Sequence, residues 1–250
     1  DALKKKNLIK KEKKENSKDL VKINKRTVKL NRDQKKAVNI IRNSVNNHSV
    51  FLLDGLTGSG KTEVYMSVMD TVIKSGKQCV VLLPEISLTP QLIRRFKGRF
   101  KVDMAIQHSG LSDIERLKYW QDAKTGKAKI ILGTRSAVWT PLLNPGIYIA
   151  DEEHDLSYKQ HNGFQYSARD LMIVRSKRDG VPAILGSATP SLETLNNAVK
   201  NRYIHLVLPT RAGGAKQPKY QLFDIQNKKM YGPLSQMLID EIKKNLDLKN

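Results

Sequence analysis

From residue 30 onward, short apolar runs alternate with longer stretches in which apolar residues recur at helical spacing. The runs that predict strands are 50–54, 78–83, 103–107, 128–132, 146–150, 182–186 and 203–207. The stretches that predict helices are 32–46, 61–74, 88–98, 112–124, 168–178 and 191–199. Near-continuous apolar strands separated by helices are typical of a mainly parallel sheet with helices on both faces. The pattern therefore predicts an α/β fold.

The pattern changes at both ends of the chain. Residues 1–29 contain eleven Lys, one Arg and four acidic residues, which gives a net charge of +8 without any Pro or Gly. We interpret this segment as a basic linker or a weakly ordered helical arm. Residues 210–218 interrupt the alternation and lead to a predicted strand near 219–224 and a helix near 233–245. The predicted organisation is an arm (1–29), an α/β domain (30–209) and a connector (210–250).

Charge and cysteine content narrow the functional class. The 250 residues include 45 Lys and Arg against 24 Asp and Glu. The net charge of +21 favours a polyanionic partner, either nucleic acid or an anionic membrane surface, unless it reflects a general lysine bias. The single cysteine, Cys79, lies in an apolar run, which excludes an internal disulfide and a cysteine-rich zinc site. No run approaches the roughly 18 apolar residues of a membrane span, so we predict a cytoplasmic protein without a membrane partner.

The first predicted strand is followed by a glycine-rich segment, DGLTGSGKTEVY (54–65), which fits the pattern G-x-x-x-x-G-K-[ST]. Glycines let backbone N–H groups surround phosphate oxygens, and the following helix adds the positive end of its dipole. Lys61 is predicted to reach the β- and γ-phosphates, and the Thr62 hydroxyl to ligate Mg²⁺. The alternative, a glycine-rich turn with a chance lysine, is disfavoured by the strand–loop–helix context. The predicted nucleotide contacts in this loop are Gly55, Thr57, Gly58, Ser59, Gly60, Lys61, Thr62 and Glu63.

Four ionisable residues, Asp151-Glu152-Glu153-His154, directly follow the apolar run Ile147–Ala150. Asp151, at a strand end, is placed to hold Mg²⁺, commonly through water, and Glu152 is placed to polarise an attacking water. A polar loop kept for solubility is the alternative, but it explains poorly why all four follow a buried strand. Lys61, Asp151 and Glu152 are therefore the predicted catalytic group of a site that hydrolyses a nucleoside triphosphate.

Asp-Glu-x-His after a phosphate-binding loop is similar to the signature of superfamily-2 helicases. Two further stretches, LGSATPS (185–191) and LNRDQKKAV (30–38), resemble motifs of the same superfamily. The resemblance implies a RecA-like lobe that binds ATP and Mg²⁺. It also implies that Ser187 and Thr189 sense the γ-phosphate and couple it to DNA. In the same way it implies that Gln34 pairs with an adenine edge and that His154 bridges the ATP and DNA sides.

Longer stretches resemble the bacterial replication-restart helicases over residues 30–250, namely LLPEISLTPQ, HSGLSDIERL, GTRSAVWTP and DEEHDLSYKQHNGFQYSARDL. The resemblance implies the first motor lobe of an ATP-dependent DNA helicase that moves 3′ to 5′ on single-stranded DNA. In that family a second lobe carries arginine fingers and a cysteine-rich insertion binds zinc, so zinc is expected only in a downstream part. Expected partners are single-stranded and forked DNA, with primosome and single-strand-binding proteins for the full protein. The fragment is expected to be monomeric and weakly active or inactive.

Aromatic and cationic residues cluster after the carboxylates. Tyr158, Phe164 and Tyr166 suit base stacking, worth about 1–3 kcal/mol per base, and the interleaved cations suit phosphates. Phe164 stands where the family pattern usually has Trp, and the alternative for each ring is packing beneath the loop. Thr134 and Arg135 follow a predicted strand and are predicted to contact the DNA backbone, with a helix cap and a surface charge as the alternative. The predicted DNA-binding and coupling residues are Thr134, Arg135, His154, Tyr158, Lys159, His161, Phe164, Tyr166, Arg169, Ser187 and Thr189.

Three other functional classes stay open on sequence alone. A P-loop kinase would need an acceptor site and a lid, and it would have no use for the Ser187-Ala188-Thr189 element. A nucleic-acid-binding module with a vestigial ATPase would not need the intact catalytic group. Another superfamily-2 translocase would share the same core motifs.

Overall fold

The apolar runs form a seven-stranded sheet in the computed structural model, which describes residues 29–212 and 222–247. In chain order the strands are β1 (Val50–Gly55), β2 (Gln78–Leu82), β3 (Met104–Gln107), β4 (Ile130–Gly133), β5 (Pro145–Asp151), β6 (Lys159–Gln160), β7 (Tyr166–Ser167), β8 (Ala183–Ser187) and β9 (Ile204–Leu208). The sheet has the strand order β3-β4-β2-β5-β8-β1-β9, and each neighbouring pair is parallel. Strands β6 and β7 form a separate antiparallel pair.

Helices connect the strands. Two of them begin with a capping box. The side chain of the N-cap residue accepts a hydrogen bond from the backbone N–H three residues later, and the side chain of that later residue accepts one from the N-cap N–H. The α-helices are α1 (Arg32–Asn43), α2 (Lys61–Lys74), α3 (Pro90–Arg99), α4 (Asp113–Lys124), α5 (Ala168–Arg178) and α6 (Leu192–Val199). Short 3₁₀ helices span Glu85–Ser87, Arg135–Trp139 and Leu156–Tyr158. Among the helices of the described ranges, none has the length and apolarity to cross a bilayer.

Successive residues of a strand point to opposite faces of the sheet. Both faces are covered by buried apolar clusters. Val81 of β2 and Ile149 of β5 pack on the face that carries α2, together with Met69. Their neighbours Val80 and Tyr148 pack on the other face, in the cluster that contains Met172 of α5. The sheet therefore lies between two apolar layers. The carboxyl ends of its strands lie outside these layers and carry polar side chains.

The predicted α/β fold is confirmed, and each predicted strand and helix within residues 30–209 is found to within a few residues. The sequence pattern did not predict the β6–β7 pair or the 3₁₀ helices. These elements are two to five residues long, too short for a hydrophobic period to show.

The chain divides into two units between residues 214 and 215. The second unit contains an antiparallel pair, β10 (Met230–Tyr231) and β11 (Leu234–Ser235), followed by helix α7 (Gln236–Asp247), which confirms the predicted helix. The predicted strand near 219–224 is wrong for residues 222–224, which have no strand pairing. The rest of that strand and the arm, apart from Lys29, lie outside the described residues.

A buried glutamine at the start of β2 links three segments. Gln78 is fully buried, and its amide nitrogen donates to the carbonyls of Ala123 and Ala128, at 2.9 and 2.8 Å. Its amide oxygen accepts from the backbone of Leu143 and Asn144, at 2.8 and 3.0 Å. All four hydrogen-bonding positions of the side chain are satisfied, so Gln78 fixes both the end of α4 and the approach to β5.

Replacing Gln78 with Leu is expected to lower the free energy of unfolding by about 3 kcal/mol or more. Four buried backbone groups lose their hydrogen-bond partner, and each buried group left unsatisfied costs about 1–3 kcal/mol. Denaturant unfolding measures the change. Gln121→Leu is the matched control, since Gln121 is exposed on α4. Equal effects of the two substitutions would contradict the structural role of Gln78.

Candidate nucleotide and nucleic-acid site

The glycine-rich loop lies between β1 and α2, where its backbone turns through two left-handed residues. Gly58 and Gly60 have φ values of 80° and 86°, a region that costs little only for glycine. A Cβ on Gly60 would come within 2.4 Å of Gln34 Nε2, and one on Gly55 within 2.5 Å of Ser59 Oγ. The loop is thus closely packed at both ends of the motif, against its own Ser59 at Gly55 and against α1 at Gly60.

Gln34 fastens the start of α1 to this loop. Its Nε2 donates to the Ser59 carbonyl at 2.7 Å, and its Oε1 accepts from the Asn31 backbone at 2.9 Å. The side chain is buried, at 3% exposure. The structure therefore places Gln34 against the phosphate-loop backbone with both ends of its amide engaged, and its contact with an adenine edge stays a prediction.

The predicted catalytic residues converge at the loop. Lys61 is buried, donates to the Gly55 carbonyl at 3.0 Å and lies 3.8 Å from Glu152 Oε1. Asp151 ends β5, and its Oδ1 accepts from the Tyr65 hydroxyl at 3.0 Å. A lysine and two carboxylates from separate elements therefore meet at one edge of the sheet.

The residues present fit a phosphate group and a divalent cation. The Ser59 hydroxyl is buried and has no hydrogen-bond partner, an arrangement that leaves a donor for an anion. The N-cap residue of helix α2 is Gly60, which provides no side-chain cap, so the first N–H groups of the helix are available to phosphate oxygens. Thr62 and Asp151 carry hydroxyl and carboxylate oxygens, the hard donors that Mg²⁺ prefers, so these two residues would hold the ion.

Burial raises the pKa of Asp151 above its usual value, and the neighbouring negative charge of Glu152 raises it further. A cation next to Asp151 would offset both effects, because it favours the ionised carboxylate. Burial also raises the pKa of Tyr65 well above its usual value, with the Asp151 charge as the next cause. Tyr65 thus remains a neutral hydrogen-bond donor to Asp151.

The contact between Tyr65 and Asp151 depends on a glycine in β8. Gly186 lies directly opposite Asp151 in the parallel register. A Cβ at Gly186 would come within 1.5 Å of the Tyr65 hydroxyl oxygen, so no other residue leaves space for that ring. Sequence analysis gave no role to Tyr65 or Gly186, although a glycine inside a strand is a signal of close approach.

The chain turns sharply after Asp151. Glu152 has a positive φ of 46°, unusual for a residue with a side chain, and the Glu153 N–H donates to the Gly186 carbonyl at 3.0 Å. This turn separates the neighbouring carboxylates, since Glu152 faces Lys61 whereas the Glu153 side chain is fully buried. Two adjacent acids therefore have different surroundings.

The structure brings together the predicted coupling residues of the two strand ends. His154 Nδ1 lies 2.7 Å from Ser187 Oγ, and His154 Nε2 lies 3.4 Å from Thr189 Oγ1. Ser187 Oγ also accepts from the Thr189 backbone at 3.0 Å. His154 Nδ1 is 3.8 Å from Glu152 Oε2, so one imidazole contacts both the carboxylate segment and the segment after β8.

Glu153 joins the carboxylate turn to α5 and α6. Its carboxylate pairs with Arg169 at 3.0 Å and accepts from the Ser191 backbone at 2.7 Å and the Thr194 hydroxyl at 2.9 Å. The predicted role of Arg169 as a DNA phosphate contact is therefore not supported. Its guanidinium, 13% exposed, is held by Glu153, Ser191 and Asp170, which neutralise its charge.

Tyr158 is also misassigned by sequence analysis. Its ring is 2% exposed and belongs to the core cluster beneath the sheet, and its hydroxyl donates to the Asp151 carbonyl at 2.6 Å. A ring in that position cannot stack on a base. The alternative that the ring packs beneath the loop is correct for Tyr158, because the 3₁₀ turn Leu156–Tyr158 directs it inward.

The other two loop aromatics form a partly exposed cluster with Trp139. Phe164 is 73% exposed and lies 6.0 Å from Tyr166, and Trp139 lies 6.0 Å from Phe164 and 5.3 Å from Tyr166 between ring centroids. Buried Arg175 fixes the Trp139 turn, since it donates to the carbonyls of the residues on either side, Val138 and Thr140. The short antiparallel pair β6–β7 holds Tyr166 in place.

The remaining predicted contacts have mixed surroundings. Arg135 donates to the Lys159 carbonyl at 2.8 Å, so part of its guanidinium holds the β6 strand. Glu63 pairs with Arg95 at 2.5 Å, which directs its carboxylate to α3 instead of toward the loop. Exposed positions are Thr57, Gly58, Lys159, His161 and Thr189, whereas Thr134 and Ser187 are buried.

Comparison with known proteins agrees with this arrangement. A family model described as DEAD/DEAH box helicase matches residues 31–198, two thirds of the chain. The chain belongs to the DEAD/DEAH box helicase family. It is 46% identical over 202 residues to the replication restart protein PriA of Haemophilus influenzae. This alignment covers 81% of this chain and 28% of that protein. The PriA of Bacillus subtilis is 40% identical over 217 residues, with 86% and 27% covered.

Solved structures show the same fold for this DEAD/DEAH chain. A structure titled RecG bound to a three-way DNA junction aligns with a TM-score of 0.58 at 24% identity, over 76% of this chain and 25% of that one. A structure titled DUF1998 helicase MrfA bound to DNA and AMPPNP aligns with a TM-score of 0.52 at 16% identity, over 74% and 27%. The predicted RecA-like lobe is thereby confirmed. The chain spans less than a third of the length of these PriA relatives.

Within this helicase lobe, four side-chain roles were missed by sequence analysis. Tyr65, Glu153, Trp139 and Arg175 lie in or near segments already recognised by motif, but their partners come from elsewhere in the chain. A motif shows which residues follow a strand, and it contains no information on which distant helix packs against them.

Removing Arg169 is expected to lower the free energy of unfolding by about 3–5 kcal/mol, because the fully buried Glu153 carboxylate is left without a cation. Removing Glu153 is expected to have a smaller effect, because Arg169 keeps its ion pair with Asp170. The variants are Glu153→Ala and Arg169→Met, measured by denaturant unfolding. Lys127→Met is the matched control, since Lys127 is 59% exposed and pairs with Asp122 at the surface. The control is expected to change the free energy of unfolding by no more than about 0.5 kcal/mol. If Arg169→Met lowers the free energy of unfolding no more than the control does, the structural role of the pair is contradicted.

Proposed function

We propose that this chain is the ATP-binding motor lobe of a DNA helicase of the replication-restart type. In the full protein it would couple ATP hydrolysis to 3′-to-5′ movement on single-stranded DNA. The observation that carries this proposal is the line of contacts that runs from Lys61 and Glu152 through His154 to Ser187 and Thr189. These contacts connect the candidate phosphate site to the polar residues at the carboxyl end of β8, which lie outside that site.

Each residue of the catalytic group has a specific role in this proposal. Lys61 would exchange its contact with the Gly55 carbonyl for the β- and γ-phosphates. Bound Mg²⁺ would be held directly by the Thr62 hydroxyl and through a water molecule by Asp151, and it would neutralise negative charge on the phosphates. Glu152 would orient and deprotonate the attacking water, and its turned backbone separates it from the ligand carboxylate Asp151.

His154 would report the state of the nucleotide to the DNA side. It lies between Glu152 and the hydroxyls of Ser187 and Thr189, so a shift of Glu152 on phosphate release alters the hydrogen bonds at the end of β8. A P-loop kinase has no need of such a link. This contact therefore favours a nucleic-acid motor over a phosphotransferase.

Single-stranded and forked DNA would lie along the carboxyl edge of β4 and the β6–β7 pair. The exposed rings of Phe164 and Trp139, with the half-buried ring of Tyr166 between them and the core, would provide the stacking surface. Lys159 would provide a nearby cation, and His161 an exposed imidazole. Contacts with primosome and single-strand-binding proteins would belong to the full protein. The relatives' name, replication restart protein PriA, supports this setting.

The nucleotide site is tested by titrating the chain with a fluorescent ATP analogue in the presence and absence of Mg²⁺. We expect Mg²⁺-dependent binding that Lys61→Ala removes, because the cationic contact with the phosphates is lost. Glu152→Gln is expected to retain binding and, in the full-length protein, to lower turnover by about 10²–10⁴-fold as a lost general base does. Turnover equal to the wild type in Glu152→Gln would contradict the assignment.

The isolated chain is expected to hydrolyse ATP slowly, since an arginine finger from a second lobe contributes about 10³–10⁵-fold. Robust DNA-stimulated turnover by these 250 residues alone would contradict that expectation.

Phe164→Ala is expected to weaken binding to single-stranded DNA by about tenfold, the loss of one stacked base, without a change in stability, since the ring is 73% exposed. Tyr158→Phe is expected to do the reverse. It should lower the free energy of unfolding by about 1 kcal/mol through the lost hydrogen bond and leave DNA affinity unchanged. Fluorescence anisotropy of a labelled oligonucleotide measures the affinity, and a weaker complex with Tyr158→Phe alone would reverse the two roles.

A further inference from the structure

A cleft of about 510 Å³ opens beside the aromatic cluster, at the carboxyl edge of β3 and β4. Its volume lies within the range of small-ligand pockets, which is roughly 300–1,000 Å³. Helix α4 forms one wall and the turn Arg135–Trp139 forms another. Residues that line the cleft include Trp120, Trp139, Tyr166, Arg116, Arg135 and Gln107.

Both tryptophans of the chain line this one cleft, and both are partly exposed. Trp120 is 40% exposed and Trp139 is 50% exposed. Large rings left in water on both sides of one cleft provide apolar area that a ligand ring can cover. A surface of this kind is typical of a binding site and is not needed for the core.

The walls are held in position before any ligand binds. Arg175 donates to the backbone on both sides of Trp139, and the rings of Tyr166 and Trp139 pack edge-to-face, with centroids 5.3 Å apart and an interplanar angle of 71°. Lys124 Nζ lies 5.0 Å from the Trp120 ring centroid, one turn further along α4. Fixed rings lower the entropy lost on binding, which favours stacking of a planar group.

The charge of the cleft is positive. Arg116 and Arg135 line it, whereas Glu85 is the one carboxylate among its lining residues. Gln107 and Gln160 add amide groups, which can donate to and accept from the edge of a base. Aromatic rings with guanidinium groups and amides are the chemistry that recognises one nucleotide, with the base on the rings and the phosphate on the cations.

The cleft is separate from the candidate ATP site. Strands β2, β5 and β8 lie between β4 and β1 in the sheet, so the two strand ends are roughly 19 Å apart at about 4.8 Å per strand. None of the phosphate-loop residues lines the cleft. Its occupant is therefore not the nucleotide held at Lys61.

We propose that this cleft holds one unpaired base of single-stranded DNA, stacked on Trp120 and Trp139, with the adjoining phosphate on Arg116 and Arg135. The inference rests on the proposed function and deepens it, because it specifies a grip on a base in addition to the backbone. A paired base is stacked on both faces and its Watson–Crick edge is occupied, so it cannot insert between the two indoles without leaving the duplex. The site therefore discriminates single strands from duplexes.

The two tryptophans make the cleft directly observable. Titration of the chain with an oligothymidine is expected to quench the intrinsic fluorescence, because both indoles lie at the site. The single-tryptophan variants Trp120→Phe and Trp139→Phe are each expected to retain part of the quenching. An oligonucleotide of the same length made of abasic sites is expected to bind by its phosphates but to quench little.

Affinity variants test the same site independently, with a labelled oligonucleotide followed by anisotropy. Trp120→Ala is expected to weaken binding by about tenfold, and Trp120→Phe to recover most of the affinity. The matched control is Ile114→Ala, on the same helix, 83% exposed and not among the lining residues. Binding of the fluorescent ATP analogue should be unchanged in all three, which shows that the fold is intact.

Four outcomes would overturn the inference. If the Trp139→Phe variant, whose remaining indole is Trp120, binds oligonucleotides without quenching and Trp120→Ala binds as tightly as Ile114→Ala, the cleft is not used and the proposed function stands. If no oligonucleotide binds, both proposals fail. Equal quenching by abasic and normal oligonucleotides would show that no base enters. Quenching by an acidic peptide but not by DNA would assign the cleft to a protein partner.

Discussion

The register between β5 and β8 is the constraint on which the rest of the site depends. It sets Asp151 directly opposite Gly186, and the missing Cβ at Gly186 gives the Tyr65 hydroxyl room to reach the Asp151 carboxylate. A shift of one residue would turn these side chains to the other face of the sheet. The same register places Ser187 next to His154, so the nucleotide site and its link to the second strand end arise from one alignment.

The turn after Asp151 gives three consecutive acidic residues three separate roles. Asp151 contacts Tyr65, Glu152 faces Lys61, and Glu153 is buried in a pair with Arg169. Because the third acid is tied to the first turn of α5, the helix that follows the aromatic loop is fixed to the carboxylate segment.

The aromatic surface differs from the one that the sequence suggests. Tyr158 is in the core and Arg169 is neutralised, whereas Trp139 and Trp120, from segments earlier in the chain, contribute exposed rings. The sheet explains the exchange, because β4 and β3 end beside the β6–β7 pair and bring α4 and the Arg135–Trp139 turn to the same edge. Stacking groups are thus gathered by topology and not by proximity in sequence.

The sequence by itself determined the α/β fold, the phosphate loop and the position of Asp151 and Glu152 at a strand end. Each of these follows from a local signal, either an apolar run, a glycine pattern or a polar residue directly after a strand. Only the tertiary structure decided the partners of those residues, such as Tyr65 for Asp151, Arg169 for Glu153 and Arg175 for the Trp139 turn. The physical reason is that burial and pairing depend on which distant elements pack together, and spacing along one chain segment does not contain that information.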